Sequence, residues 1–437
     1  MHASLSRTLT TLAAFLLAAC AATTAPAPAR TGDPLDTLAQ DYVRLQLEIG
    51  ARDEGYVDAY YGPPEWREAA QASPRAVPQL AAAAAGLKAR LAAMFVPAGS
   101  AEAQRIAFLL AQLTAAETRL RMLQGERLSF AGEAEGLYGV RPELLPLADY
   151  DPILARIEAL VPGSGPLADR VEAFHDRFTI APGRLDAVMR AAIAECRRRT
   201  IAHIALPEEE AFTLEFVSGR SWSGYNWYQG NYRSLIQINT DLPVRLSGAV
   251  DLGCHEGYPG HHAYNVLLER ELMRGRGWIE YSVYPLYSPQ SFIAEGSANY
   301  GIELAFPGDQ RLEFETRMLY PLAGLPTDGA AAYLALQEAI QDLAGARFTI
   351  ARDYLEGRIA REEAVALAQR YQLVSRARAE QSIAFTDQYR AYVINYGLGR
   401  DMVARHIEAA GPDPSARWAA MRRIFSEPTL PSDLARE

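Results

Sequence analysis

The sequence predicts a mainly α-helical protein carrying one small antiparallel β-sheet, and three observations predict it. Apolar residues recur at helical spacing along most of the chain, as in Ile106, Leu109, Leu110, Leu113 and Leu120. Strand-like alternation is confined to one region between Phe212 and Asn239. Residues that start and stop helices, such as Ser100, Pro152, Pro166 and Gly125, stand at the ends of the periodic stretches.

The first thirty-two residues are set apart from the fold. Arg7 precedes an apolar run from Leu12 to Ala19, which is of signal-peptide length and too short to span a bilayer. The run ends in Leu17-Ala18-Ala19-Cys20, which resembles a bacterial lipobox, with Cys20 lipidated as the mature N-terminus. Residues 21–32 read as a tether of small residues and proline. The expectation is a cell-envelope protein held to a membrane by the lipid on Cys20 and not by a helix.

Residues 33–205 read as a helical scaffold, and 206–437 as a catalytic region with the sheet and the C-terminal helices. In the scaffold, helices are expected over 33–62, 78–94, 100–125, 151–160, 166–178 and 185–203. His175 and His203 stand alone on two of them and are read as structural. Phe212 to Val217 and Tyr225 to Asn239 alternate as strands, with turns at Ser218-Gly219 and Ser223-Gly224. Next come a helix over Leu246–Glu256, another over Ala263–Arg274, and a loop from Trp278 to Ser291. Helices follow over 291–305, 310–320, 329–357, 360–373 and 376–396.

Composition narrows the partners. A net charge of −10 and the absence of a long basic run exclude nucleic acid. With 22 tyrosines and 5 tryptophans the chain suits a groove that binds peptides or glycans. Oligomeric state is left open. So is the state of Cys196 and Cys254, since one disulfide and two buried thiols fit equally well.

The chemistry gathers at Cys254-His255-Glu256-Gly257-Tyr258-Pro259-Gly260-His261-His262, which holds three of the seven histidines. Imidazoles can hold a zinc ion, and a carboxylate beside them can take a proton from water. The usual spacing puts two histidines four apart on one helical face. Here the fourth position after His255 is Pro259, whose ring would clash with the carbonyl of His255, so the helix must break. Gly257 and Gly260 can take the dihedrals that a break requires. Either His261 or His262 could then turn back to His255, and spacing alone does not choose.

The pattern His-Glu-Gly-Tyr-Pro-Gly-His-His resembles the signature of a bacterial zincin-like family of lipoproteins, known as domain of unknown function 885 and assumed to be metallopeptidases. The family pattern His-Glu-x-x-Pro-Gly-His implies His261 as the second ligand and His262 as its neighbour. A downstream Glu-Gly-x-Ala element matches Glu295-Gly296-Ser297-Ala298, with Ser297 where the family usually has tryptophan. The resemblance extends weakly over 41–408, including Asn239-Thr240-Asp241-Leu242-Pro243 and the stretch from Phe385 to Gly399. It implies a large helical zincin-like fold.

His255, His261 and Glu295 then supply two imidazoles and a carboxylate to one Zn2+, leaving a position open. Glu256 is the general base. Tyr396 is the expected oxyanion donor, with Tyr392 and Arg390 behind it. Asn299 and Glu303, one and two turns beyond Glu295, would orient the ligands. Tyr225, Asn226, Trp227 and Tyr228 would line a cleft in which an extended substrate pairs with the sheet edge. The expected function is a zinc-dependent peptidase; the alternatives are an amidase or esterase acting on a small or cell-wall compound, and a non-catalytic lipoprotein with structural zinc.

Overall fold

The computed structural model describes residues 33–435, so the signal peptide, lipobox and tether lie outside the described residues. The fold is mainly α-helical, with two small sheets among the described residues. The larger apolar core runs from Leu35 to Leu434 and draws on both stretches expected as scaffold and catalytic region. A smaller core gathers Leu154, Ile157, Val171, Ile350, Val365 and Ile383. No described helix is long and apolar enough to cross a membrane.

Five helices position the site. They are α1 (Pro182–Ile201), α2 (Leu246–Glu256), α3 (His261–Leu267), α4 (Pro289–Ala305) and α5 (Ile394–Glu408). Helix α2 buries Leu246, Ala249 and Val250. A Cβ on its Gly253 would stand 3.2 Å from Ile193 Cγ1, so the glycine lets α2 lie close along α1. Cys196 of α1 and Cys254 of α2 form a disulfide that closes a loop of 58 residues. Helices α4 and α5 cross where Gly296 meets Gly399. A side chain on Gly296 would press to 2.5 Å from the Gly399 carbonyl oxygen, which accounts for a glycine directly after Glu295.

Strands β2 (Ala211–Val217), β3 (Gly224–Gly230) and β4 (Arg233–Asn239) form a sheet in the order β2-β4-β3. It corrects the antiparallel expectation in part: β3 pairs antiparallel with β4, whereas β2 runs parallel to β4. Two reversals of the chain separate β2 from β4 and leave them running the same way. The second reversal falls inside the stretch read as continuous alternation. Asn231 and Tyr232, with φ of 53° and 60°, make a two-residue turn of the kind that needs positive φ at both positions. Glu269 accepts both of their backbone N–H groups, at 3.1 and 3.3 Å.

The second sheet was not expected. Strand β1 (Val57–Tyr60) lies within a stretch read as helix, and β5 (Val283–Pro285) within one read as loop; they pair antiparallel. Four and three residues are too few to show a period. Two long expected helices also divide. The 329–357 stretch forms helices over 330–341 and 344–355. The 376–396 stretch ends its helix at Tyr389, turns at Arg390 with φ of 53°, and restarts as α5.

Candidate metal centre

The break imposed by Pro259 builds the centre. Helix α2 stops at Glu256, the Tyr258–Pro259 peptide is cis, and α3 begins at His261. The chain doubles back so tightly that a Cβ on Gly260 would lie 1.8 Å from the His255 carbonyl oxygen; only glycine fits there. His255 thus ends one helix and His261 opens the next, with their Nε2 atoms 3.1 Å apart. Helix α4 delivers Glu295 to the pair, its Oε2 3.2 Å from His255 Nε2 and its Oε1 3.6 Å from His261 Nε2.

These three side chains are the metal-binding set that the described residues offer. Two imidazoles on one tetrahedral zinc hold their donor atoms about 3.3 Å apart, close to the separation found here. Glu295 Oε2 is buried and accepts no hydrogen bond, a costly state for a carboxylate oxygen unless a cation meets it. Its partner oxygen Oε1 accepts from the Tyr392 hydroxyl at 2.8 Å, which orients the carboxylate. Burial pushes the Glu295 carboxyl up, but the His261 and His255 imidazoles outweigh it and hold it well below the usual range. The donor set fits a zinc ion.

A cavity of about 80 Å³ opens onto the three side chains and is lined also by Glu256, Asp58, Tyr392 and Tyr396. Glu256 lies against β3: a Cβ on Gly224 would stand 2.5 Å from its Oε1. The Asn226 amide donates to the Glu256 backbone carbonyl at 2.6 Å and fixes the helix end. Burial pushes the Glu256 carboxyl up to about 7; His255 opposes the shift, and Glu295 and Asp58 add to it. Tyr396 packs its ring near that of His255, with centroids 6.2 Å apart and planes at 18°. Burial and then the Glu295 charge raise its phenol well above the ordinary value, so it stays a neutral donor.

The other expected site residues separate. Tyr225 and Asn226 line the cavity, but Trp227 and Tyr228 do not. Trp227 points outward, 45 % exposed, and the Tyr228 hydroxyl donates to Glu269. Asn299 acts through backbone, donating to the Glu295 carbonyl at 2.9 Å and to the Tyr396 carbonyl at 3.4 Å. Glu303 pairs with Arg400, and Arg390 pairs with Glu133 at 2.9 Å, so neither reaches the centre. His262 turns away from His261. Fully buried, it meets Ser234 Oγ at 2.8 Å and Glu210 Oε2 at 2.9 Å.

Sequence reasoning missed Asp58, which β1 carries into the cavity. No motif marks it, because its strand pairs with a segment more than two hundred residues away. Burial raises its carboxyl to about 6, against the lowering influence of the Tyr225 hydroxyl and His261, while Glu295 adds to the rise. Trp222 was also missed. The loop that carries it is held by Asn239, whose amide donates to the Arg220 and Trp222 carbonyls at 2.9 Å each. Asp241 supports the same loop by accepting the N–H groups of Gly219 and Arg220.

No family model matches the chain, and no curated protein matches it. Among solved structures it is similar to a candidate lipoprotein from Colwellia psychrerythraea, at 15% identity and a TM-score of 0.47 over 79% of this chain and 66% of that one. A candidate lipoprotein of unknown function from Shewanella oneidensis is similar at 13% identity and a TM-score of 0.43, covering 91% and 80% of the two chains. An M32 carboxypeptidase from Deinococcus radiodurans R1 is similar at 14% identity and a TM-score of 0.45, covering 92% and 94%. What the centre can do is decided by its own side chains.

Proposed function

We propose that the protein is a zinc-dependent hydrolase that cleaves peptide or related amide bonds. What carries this reading is the convergence of His255, His261 and Glu295 around a buried carboxylate oxygen that accepts no hydrogen bond from the described residues. These three residues would hold the ion. Bound there, zinc supplies the Lewis acidity that makes water nucleophilic near neutral pH. Glu256, next to a ligand but not itself one, removes a proton from the attacking water and delivers it to the leaving amine. Its carboxylate lines the cavity, and no hydrogen bond from the described residues holds it. Tyr396 offers a hydroxyl that has no hydrogen-bond partner among the described residues to the charge developing on the carbonyl oxygen, whereas Tyr392 is committed to Glu295.

Structural zinc fits less well, because such sites usually close with a fourth ligand. Cys254 is consumed by the disulfide and His262 by Glu210. The disulfide agrees with an oxidising compartment, as the lipobox around Cys20 expects. Metal analysis combined with hydrolysis of a mixed peptide library tests the proposal. Glu256→Gln should keep about one zinc per chain and lose roughly 10²- to 10⁴-fold in turnover. Glu295→Ala should lose the metal. Unchanged turnover in the Gln variant would remove Glu256 from its role.

A further inference from the structure

The cavity is lopsided in charge. Asp58, Glu256 and Glu295 line it, and among the described residues no lysine or arginine does. Glu295 faces the two imidazoles, and Glu256 moves the proton in the reading above. Even with a divalent ion in place, the three carboxylates leave a net negative cavity, and Asp58 has no assigned work.

Asp58 is half free. Its Oδ1 accepts from the Tyr225 hydroxyl at 2.9 Å, while its Oδ2 accepts no hydrogen bond, and no cationic side chain pairs with it among the described residues. Next to Tyr225 on the same strand, Asn226 is 5 % exposed and lines the same cavity, and its Oδ1 has no partner. Its amide is already spent on the Glu256 carbonyl, so what it still offers is an acceptor. The Tyr225 ring lies 5.5 Å from that of Trp222, another wall of the cavity. One free carboxylate oxygen, one orphaned amide oxygen and two aromatic faces match a group that only donates and carries positive charge. An incoming carboxylate or phosphate would meet the like charge of Asp58 there.

We propose that Asp58, oriented by Tyr225, binds the free ammonium group of the substrate, so that the protein acts on short peptides with an unblocked N-terminal amine. This rests on the peptidase reading above and adds the end of the substrate that is recognised. Asp58 and Tyr225 set specificity; the proton transfers remain with Glu256.

The test uses the whole zinc-loaded protein carrying Glu256→Gln, so that ligands bind without being consumed. Calorimetry compares the dipeptides Phe-Ala, Leu-Ala and Ala-Phe with their N-acetyl forms. The free amines should bind roughly 10- to 100-fold tighter, the range expected for a charged hydrogen bond. Adding Asp58→Asn should erase that preference, and Tyr225→Phe should narrow it to a few-fold, with zinc content and melting temperature unchanged. Equal binding of free and acetylated forms, a preference that survives Asp58→Asn, or no dipeptide binding would each overturn the ammonium site. The two ideas fail separately. A preference without hydrolysis by the wild type would keep the ammonium site and remove the peptidase. Equal cleavage of free and blocked peptides would do the reverse.

Discussion

His261 and His262 are neighbours in sequence and opposites in circumstance. His261 faces a cavity, with His255 and Glu295 around a carboxylate oxygen that accepts nothing. His262 faces the interior, where both ring nitrogens have partners and Glu210 is fully engaged. Glu210 Oε1 pairs with Arg197 at 2.6 Å, and Oε2 accepts from His262 and the Tyr258 hydroxyl. Both assemblies bury a carboxylate beside imidazole, and in both the partners outweigh burial and hold the carboxyl below its ordinary value. The difference lies in satisfaction. A saturated network has nothing left to bind, whereas a buried acceptor without a donor has a vacancy in its chemistry.

The sharpest way to break this comparison is to remove each histidine in turn. His261→Ala should abolish stoichiometric zinc binding and lower kcat/KM by roughly 10³-fold or more, with little change in the unfolding midpoint of the metal-free protein. Zinc titration and chemical denaturation of the same sample read both quantities. Zinc retained at one per chain would move the second ligand elsewhere.

The disulfide should matter about as much, but to stability and to both regions together. It ties α1 to α2 one residue before His255, and closing a 58-residue loop is worth about 4 kcal/mol by restriction of the unfolded chain. Cys196→Ser with Cys254→Ser should lower the denaturation midpoint accordingly, while the folded fraction still takes up zinc. Loss of zinc binding at full folding would show that the bond shapes the centre as well as holding it.

His262→Ala should give the mirror image of His261→Ala at a smaller size. Glu210 would keep Arg197 and Tyr258 but lose a buried partner, a cost of about 2–3 kcal/mol. Zinc affinity of the folded protein should stay within a few-fold. Thermal denaturation with and without zinc separates the two effects, and equal metal loss in both variants would erase the distinction between the sites.

What the sequence disclosed follows from how local each signal is. The span of α2, the break at Pro259 and the carboxylate at 295 were legible because a clash, two glycines and a short pattern act within a few residues. The choice between His261 and His262 was not. It depends on Ser234 and Glu210, which reach His262 from β4 and from the residue before β2. Asp58 was hidden for the same reason, since β1 is a strand only through its pairing with β5. Aromatics on β3 were visible, but Tyr225 lines the cavity, Trp227 faces solvent and Tyr228 is buried against Glu269, a division the alternation did not mark. Arg390 was placed near the centre because the helix was drawn straight through it, whereas the chain turns there and gives its guanidinium to Glu133.

The smallest effect concerns acid. Burial raises the Glu210 carboxyl, but hydrogen bonds from His262, Tyr258 and Arg197 and the charge of His262 bring it down to about 2, below its ordinary 4.5. A depressed folded value means that the unfolded chain binds the proton more readily. The stabilisation is therefore complete above pH 4.5 and is lost as pH falls towards 2. Because Arg197 is partly exposed, its share is reduced by solvent, and a net contribution on the order of 1 kcal/mol is expected. Urea denaturation at pH 6 and pH 3 should show the wild type losing that much more than Glu210→Gln over the same interval. An identical loss in both proteins would mean that Glu210 titrates normally in the folded state, and the saturated network would then be no tighter than solvent.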